Sequence, residues 1–115
     1  GGRLAMSSAA VDPRAAFENM LAQVEEPMLV DFYADWCGPC KLEENVLEQL
    51  AAETDGAVKI AKVDTDRYGQ LAQTYEVEGL PTLVLFHKGE EKARFIGFTP
   101  VDKLMESIRP LMGGQ

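Results

Sequence analysis

Apolar residues recur along the chain at two spacings, one typical of helices and one typical of strands. Four segments carry apolar residues three and four positions apart, which predicts one-sided helices at about 12–26, 37–54, 67–75 and 100–112. Four short, mostly apolar runs predict strands at 28–33, 58–63, 82–86 and 92–96. Helices and strands alternate until the last two strands, which form a hairpin. We therefore expect an α/β domain whose central mixed sheet is flanked by helices on both faces.

Residues that favour helix ends mark where two of these helices begin. Asp12 followed by Pro13 is a helix start, because aspartate can cap the helix and proline fits its first turn. Thr99 is expected to cap the last helix in the same way, with Pro100 in the first position. Pro27 is expected to stop the first helix. The expected core face of the second helix comprises Leu42, Val46, Leu47 and Leu50.

The length of 115 residues suits one domain, and no repeat or linker divides the chain. We expect the domain to span 12–112, after a flexible extension at 1–11 and before a short tail at 113–115. The extension is rich in small residues. Its composition fits either the remnant of a removed transit peptide or residues added by cloning.

Charge and composition argue against several classes of function. The chain has 19 acidic and 11 basic residues, a net charge of -8, which disfavours binding to bare nucleic acid or to an anionic membrane surface. No apolar run approaches the length of about 18 residues that a transmembrane helix needs. Two cysteines are too few for a disulfide-dense scaffold, and the single histidine, His87, is given no catalytic role.

The most informative segment is Asp35-Trp36-Cys37-Gly38-Pro39-Cys40-Lys41, at the junction of a predicted strand and a predicted helix. Two cysteines three apart at a helix start can close a disulfide within one turn. The helix N-terminus favours a thiolate at Cys37, and a thiolate is the form that attacks disulfides. Cys40 is then placed to attack the mixed disulfide. The alternatives are half of a zinc site, although the chain has no second cysteine pair, and an accidental pair of buried cysteines.

Several spaced motifs resemble the thioredoxin family. Trp36-Cys37-Gly38-Pro39-Cys40-Lys41, preceded by Val30-Asp31-Phe32-Tyr33-Ala34, looks like the active-site stretch of that family. Gly79-Leu80-Pro81-Thr82 resembles its cis-proline loop, and Gly89 and Gly97 match two later glycines. The similarity covers nearly the whole chain. It implies the thioredoxin fold and a protein-disulfide reductase that acts on disulfide-containing target proteins. It also implies no cofactor beyond the redox-active disulfide, and no metal.

The resemblance assigns catalytic roles residue by residue. Cys37 corresponds to the exposed nucleophile and Cys40 to the buried resolving cysteine. Asp31 matches a carboxylate under the disulfide, where burial raises the pKa and suits the group to accept the proton of Cys40. Lys62 matches a lysine near that carboxylate, and Pro81 matches the cis-proline against the disulfide. The alternatives are a solvent-facing acid for Asp31 and an ordinary surface lysine for Lys62.

The same resemblance implies a mostly apolar docking surface around the sulfurs. The residue before the cis-proline, Leu80, exposes its backbone for pairing with an extended target segment. The expected surface comprises Trp36, Gly38, Pro39, Gly79, Leu80, Ile96 and Gly97. Pure packing remains the alternative for Trp36, and a core strand position remains the alternative for Ile96.

Residues 42–45 depart from the family pattern, which has apolar residues and a helix-bending proline there. Asn45 stands in place of the proline, so we expect a straighter helix. Glu43 and Glu44 place two negative charges near the sulfurs. We predict that these charges oppose thiolate formation at Cys37. The alternative is a solvated helix face.

Some motifs look most like those of the plastid z-type thioredoxins: Val63-Asp64-Thr65-Asp66, Gly79-Leu80-Pro81-Thr82-Leu83 and Gly97-Phe98-Thr99-Pro100. The y-type is the next most similar. The z-type resemblance implies the chloroplast stroma, electrons from ferredoxin–thioredoxin reductase, and association with fructokinase-like proteins of the plastid RNA polymerase complex. The alternatives are a cytoplasmic location and a non-catalytic binding subunit of that complex. Without further cysteines, we expect a monomer.

Overall fold

The computed structural model describes residues 12–113, so the expectations for 1–11 and for the end of the tail lie outside the described residues. The helices are α1 (Pro13–Gln23), α2 (Gly38–Thr54), α3 (Gly69–Thr74) and α4 (Val101–Ile108). The strands are β1 (Met28–Tyr33), β2 (Lys59–Asp64), β3 (Thr82–His87) and β4 (Glu90–Ile96). A 3-10 turn, Arg109–Leu111, follows α4. None of the described helices is long and apolar enough to cross a membrane.

The four strands form one mixed sheet in the order β2-β1-β3-β4. β1 runs parallel to β2 and antiparallel to β3, and β3 and β4 form an antiparallel hairpin. In this register Asp31, in the middle of β1, lies opposite Lys62 on β2 and Leu83 on β3. A central strand therefore carries a carboxyl group.

Two apolar layers cover the two faces of the sheet, because successive strand residues point to opposite faces. Val30 and Phe32 of β1 belong to the layer under α1 and α3, whereas Leu29 belongs to the layer under α2 and α4. Asp31 alternates with Val30 and Phe32, so it faces α2 and α4. The sheet with helices on both faces confirms the predicted fold class.

Several helix ends differ from the sequence-based prediction, and for two of them the backbone and its contacts give the reason. α1 ends at Gln23 rather than near Pro27, because Val24 already has an extended backbone that leads toward β1. The cap of α4 is Pro100, not Thr99, and it makes no side-chain capping hydrogen bond. The N–H of Thr99 instead donates to Glu43, and its hydroxyl donates to the carbonyl of Gly97. Tertiary contacts therefore override the local capping signal at Thr99.

Candidate redox site

Cys37 and Cys40 form a disulfide at the N-terminus of α2, with their Cα atoms 5.2 Å apart. Cys37 is the N-cap residue, and its Sγ accepts a hydrogen bond from the backbone N–H of Cys40 at 3.2 Å. Gly38 and Pro39 form the first turn between the two cysteines. A thiolate at Cys37 would face the same N–H and the positive end of the helix dipole, which both stabilise negative charge.

The structure changes the expected exposure of the nucleophile. Cys37 is only 5% exposed in the disulfide form, so the sequence-based picture of an exposed Cys37 is wrong for this form. Both sulfur-bearing residues pack with Ala34, and Tyr33 and Leu80 lie against this cluster. The disulfide is therefore covered by its neighbours.

Two loops meet beside the disulfide. The Leu80–Pro81 peptide bond is cis, and the carbonyl of Pro81 accepts a hydrogen bond from the N–H of Gly97 at 2.8 Å. A Cβ on Gly79 would lie 3.4 Å from Ile96 Cγ2, so these two residues are also neighbours. The structure thus brings together four of the expected docking residues.

Apolar side chains are exposed at this end of the molecule. Trp36 and Ile96 are each 71% exposed, which excludes pure packing for Trp36 and a core position for Ile96. The indole Nε1 of Trp36 donates a hydrogen bond to Asp66 at 2.9 Å, which fixes the orientation of the ring. A partner protein that covered these side chains would bury apolar surface.

Asp31 is fully buried, so the alternative of a solvent-facing acid is excluded. Neither of its carboxyl oxygens accepts a hydrogen bond from the described residues. Burial raises the pKa of Asp31 to about 6; the positive charge of Lys62 opposes this shift and the negative charge of Glu44 adds to it. The group is therefore suited to bind and release a proton near neutral pH.

Lys62 acts on Asp31 from a distance rather than through a hydrogen bond. Its Nζ lies 2.8 Å from a carboxylate oxygen of Glu44 and 4.6 Å from the ring centroid of Tyr33. The hydrogen bond that Lys62 donates to Glu44 raises the pKa of Lys62, and the same contact lowers the pKa of Glu44. The lysine near the carboxylate is thus also held in an ion pair.

The adjacent glutamates Glu43 and Glu44 of α2 differ in exposure, which the sequence did not predict. Glu44 is exposed and pairs with Lys62, whereas Glu43 is fully buried. The alternative of a solvated helix face is therefore wrong for Glu43. The buried face of α2 consists of Cys40, Glu43, Leu47, Leu50 and Thr54. Glu43 lies three residues after Cys40 and four before Leu47, a spacing that puts all three on one helix face. That spacing could have indicated that Glu43 is buried.

Glu43 has one hydrogen-bond partner among the described residues. Its Oε1 accepts a hydrogen bond from the N–H of Thr99 at 2.8 Å, and its buried Oε2 has none. Burial raises the pKa of Glu43 to about 7; the hydrogen bond from Thr99 opposes the shift and the charge of Asp31 adds to it. The site therefore contains two buried carboxyl groups rather than one.

The neighbouring position was also misassigned. Leu42, expected on the core face of α2, is 59% exposed.

Within residues 12–113 no group of three or more histidine, cysteine, aspartate or glutamate residues is placed to hold a metal ion. The cysteines are joined to each other, so in this form they are not available as zinc ligands.

Comparison with known proteins identifies relatives over most of the chain. The family model described as thioredoxin matches residues 8–110. Thioredoxin Y2, chloroplastic, of Arabidopsis thaliana is 40% identical over 93 residues, which cover 81% of this chain and 56% of the relative. A thioredoxin-like protein of Synechocystis is 40% identical over 95 residues, covering 83% of this chain and 90% of that protein.

A solved structure gives the same result. The crystal structure of chloroplastic thioredoxin z superimposes with a TM-score of 0.76 at 38% identity, and the match covers 84% of this chain and 88% of that one. The chain spans a little over half the length of the chloroplastic Y relatives that it matches.

Proposed function

Because the chain belongs to the thioredoxin family, we propose that it is a dithiol–disulfide oxidoreductase that reduces disulfide bonds in target proteins. One observation carries the proposal. The Cys37–Cys40 disulfide closes at the N-terminus of α2, beside a cis-proline loop, and a carboxyl group is buried on the face of the sheet that α2 covers. A protein that served only as a scaffold would require none of these features.

The geometry supports a two-step exchange. In the reduced protein the thiolate of Cys37 attacks one sulfur of a target disulfide, which forms a mixed disulfide and releases the other target sulfur as a thiolate. The thiol of Cys40 then gives its proton to the carboxylate of Asp31 and attacks the Sγ of Cys37. The Cys37–Cys40 bond forms, the mixed disulfide breaks, and its target sulfur leaves as a second thiolate, so two electrons pass to the target. The proton on Asp31 is the one that Cys40 released.

We assign the docking of targets to the exposed apolar rim. Trp36 and Ile96 offer side-chain surface, and Leu80 offers backbone groups next to the cis-peptide bond. Gly97 keeps the second loop against the carbonyl of Pro81. Gly38 and Pro39, between the cysteines, and Gly79, beside Ile96, complete the proposed surface.

We further propose that the protein works in the chloroplast stroma and receives electrons from ferredoxin–thioredoxin reductase. The names of the chloroplastic Y2 relative and of the thioredoxin z structure support this proposal. By its motifs the chain is proposed as z-type, with fructokinase-like proteins of the plastid RNA polymerase complex as partners. The y-type is the alternative. We also propose one domain over 12–112 and a monomeric state.

Reduction of insulin disulfides tests the proposed activity. The protein is supplied with electrons by dithiothreitol, by ferredoxin–thioredoxin reductase, or by an NADPH-dependent reductase. Activity that Cys37→Ser abolishes, and that Glu48→Gln on the exposed face of α2 does not, supports the reductase. Preference for the ferredoxin-linked donor supports the plastid location. No activity from folded, reduced protein would overturn the reductase proposal in favour of a binding subunit.

A further inference from the structure

Two carboxyl groups lie in the same layer of the molecule, on the side of the sheet that holds the disulfide. Glu43 is one turn after Cys40 on the buried face of α2. Asp31 faces that helix from the central strand β1, on the same side of the sheet as Leu29. Both carboxyl groups are fully buried. The proposed exchange uses Asp31 as a proton acceptor and leaves Glu43 without a role.

The two groups are poorly compensated. Three of their four carboxyl oxygens accept no hydrogen bond from the described residues. The fourth, Glu43 Oε1, is held by the N–H of Thr99 in the loop before α4. A buried carboxylate without donors is costly, so each negative charge strongly affects the other.

Few other charges reach this layer from the elements packed around it. From β2, Lys62 acts on Asp31 but is paired with Glu44, which lies on the exposed side of α2. β3, β4 and α4 contribute apolar side chains, among them Leu83, Phe95 and Leu104. The charged residues in the first turn of α4, Asp102 and Lys103, are exposed. Asp31 and Glu43 are therefore the two fully buried carboxyl groups of this layer, and Lys62 and Glu44 act on Asp31 from its exposed side.

We propose that Glu43 is a positioning residue of the redox site, whose negative charge strengthens Asp31 as the base that takes the proton of Cys40. The proposal rests on the proposed reductase function and deepens it. Ionised Glu43 repels negative charge on Asp31 and so favours the protonated form of Asp31. Asp31 then binds the proton of Cys40 more tightly during the attack on the mixed disulfide. No further reactant enters the step, since the proton moves between groups already present.

The pKa values of the two groups place this coupling near neutral pH. Burial raises the pKa of Asp31 to about 6 and that of Glu43 to about 7. Two sites that interact this closely lose their protons in two steps that belong to the pair. Asp31 loses its proton first, and Glu43 then ionises against the charge of Asp31. Once Glu43 is ionised, its charge raises the affinity of Asp31 for a proton.

A purely structural role is the competing explanation, since Glu43 also anchors Thr99. Glu43→Gln separates the two explanations, because a glutamine oxygen can still accept the hydrogen bond from Thr99 while the charge is lost. Glu48→Gln is the matched control, with the same change of charge on the exposed side of the same helix.

The test is an NMR titration of side-chain carboxyl carbons in the oxidised, full-length protein. In Asp31→Asn the titration midpoint of Glu43 should fall by on the order of one pH unit, the coupling at which two sites titrate as a pair, because Asp31 ionises first and its charge raises the pKa of Glu43. Glu48→Gln should leave the midpoint unchanged. In wild-type protein the Asp31 and Glu43 resonances should each show both steps, a test that needs no variant. An unchanged Glu43 midpoint in folded Asp31→Asn, or independent one-step curves in wild type, would overturn the proposal.

A kinetic readout distinguishes this proposal from the proposed function. The pH profiles for insulin reduction should differ above about pH 7, where wild-type Glu43 is ionised, with Glu43→Gln slower because its Asp31 is a weaker base. Coincident profiles in an active enzyme overturn only the role of Glu43. A wild-type protein that does not reduce insulin refutes the reductase proposal, and the NMR titration still decides whether the two carboxyl groups are coupled.

Discussion

The oxidised protein should lose stability as the pH rises from about 5 to about 8, and Glu43 should account for most of the loss. The pKa of Glu43 is raised by burial from 4.5 to about 7. Between these values the folded state holds a proton that the unfolded state has released. Its stabilising contribution is therefore complete below about 4.5 and is lost as the pH rises through about 7.

The raised pKa values of the two carboxyl groups set the size of the effect. Linkage gives a loss of about 2.5 kcal/mol between about pH 5 and about pH 8 for Glu43, and about 1.5 kcal/mol for Asp31 with its pKa of about 6. Wild-type protein should therefore lose about 4 kcal/mol, and Glu43→Gln about 1.5 kcal/mol or less. Losses of this size are a large part of the stability of a small domain, which is about 5–15 kcal/mol.

Urea unfolding of the oxidised protein at the two pH values measures these free energies directly. Glu48→Gln is the control, because its carboxylate is exposed and its loss should leave the pH dependence of wild type unchanged. Equal losses of stability in wild type and in Glu43→Gln would refute the reasoning. So would a wild-type protein that is more stable at the higher pH.

Three further outcomes are expected. Lys62→Met should raise the titration midpoint of Asp31 in an NMR titration, because it removes the positive charge that opposes the raised pKa; a lower midpoint would contradict this assignment. Trp36→Ala should weaken target binding, measured as a higher KM for insulin, with little change in Tm, because the side chain is largely exposed; an unchanged KM would argue against its docking role. Gly97→Ala should lower the free energy of unfolding by about 1 kcal/mol, since alanine is disfavoured at a φ of +84°. Gly69→Ala, with open space around it and no positive φ, is the control, and an equal loss there would contradict the explanation.

Local patterns were sufficient to predict the sheet and its helices. β1 was predicted at its observed bounds, Met28–Tyr33, because a short apolar run directly after Pro27 has few other possible structures. Cys37 could be placed at a helix start because Pro39 and the apolar spacing downstream identify the first turn. These features depend on residues that are close together in the sequence, so the sequence alone is enough to predict them.

The buried glutamate could not be recognised from its chemistry. Glutamate is almost never fully buried, so Leu42 was the natural choice for the core face and Glu43 for solvent. The two positions differ by one residue, or about a quarter of a helical turn. The phase of α2 is decided by Cys40, Leu47 and Leu50, which all pack inward. The acceptor role of Glu43 toward Thr99 depends on contact between distant segments, which no local pattern contains.

The position of the disulfide within one helical turn also has a consequence for the unfolded chain. The bond joins residues separated by only 3 positions. In the chain-entropy description, the restriction of the unfolded ensemble grows with the logarithm of the closed loop, so this bond restricts it less than a crosslink between distant residues would. The fold is held instead by two apolar layers that contain no other crosslink among the described residues. Breaking and remaking the bond therefore changes the conformational entropy that opposes folding less than it would for a crosslink between distant segments.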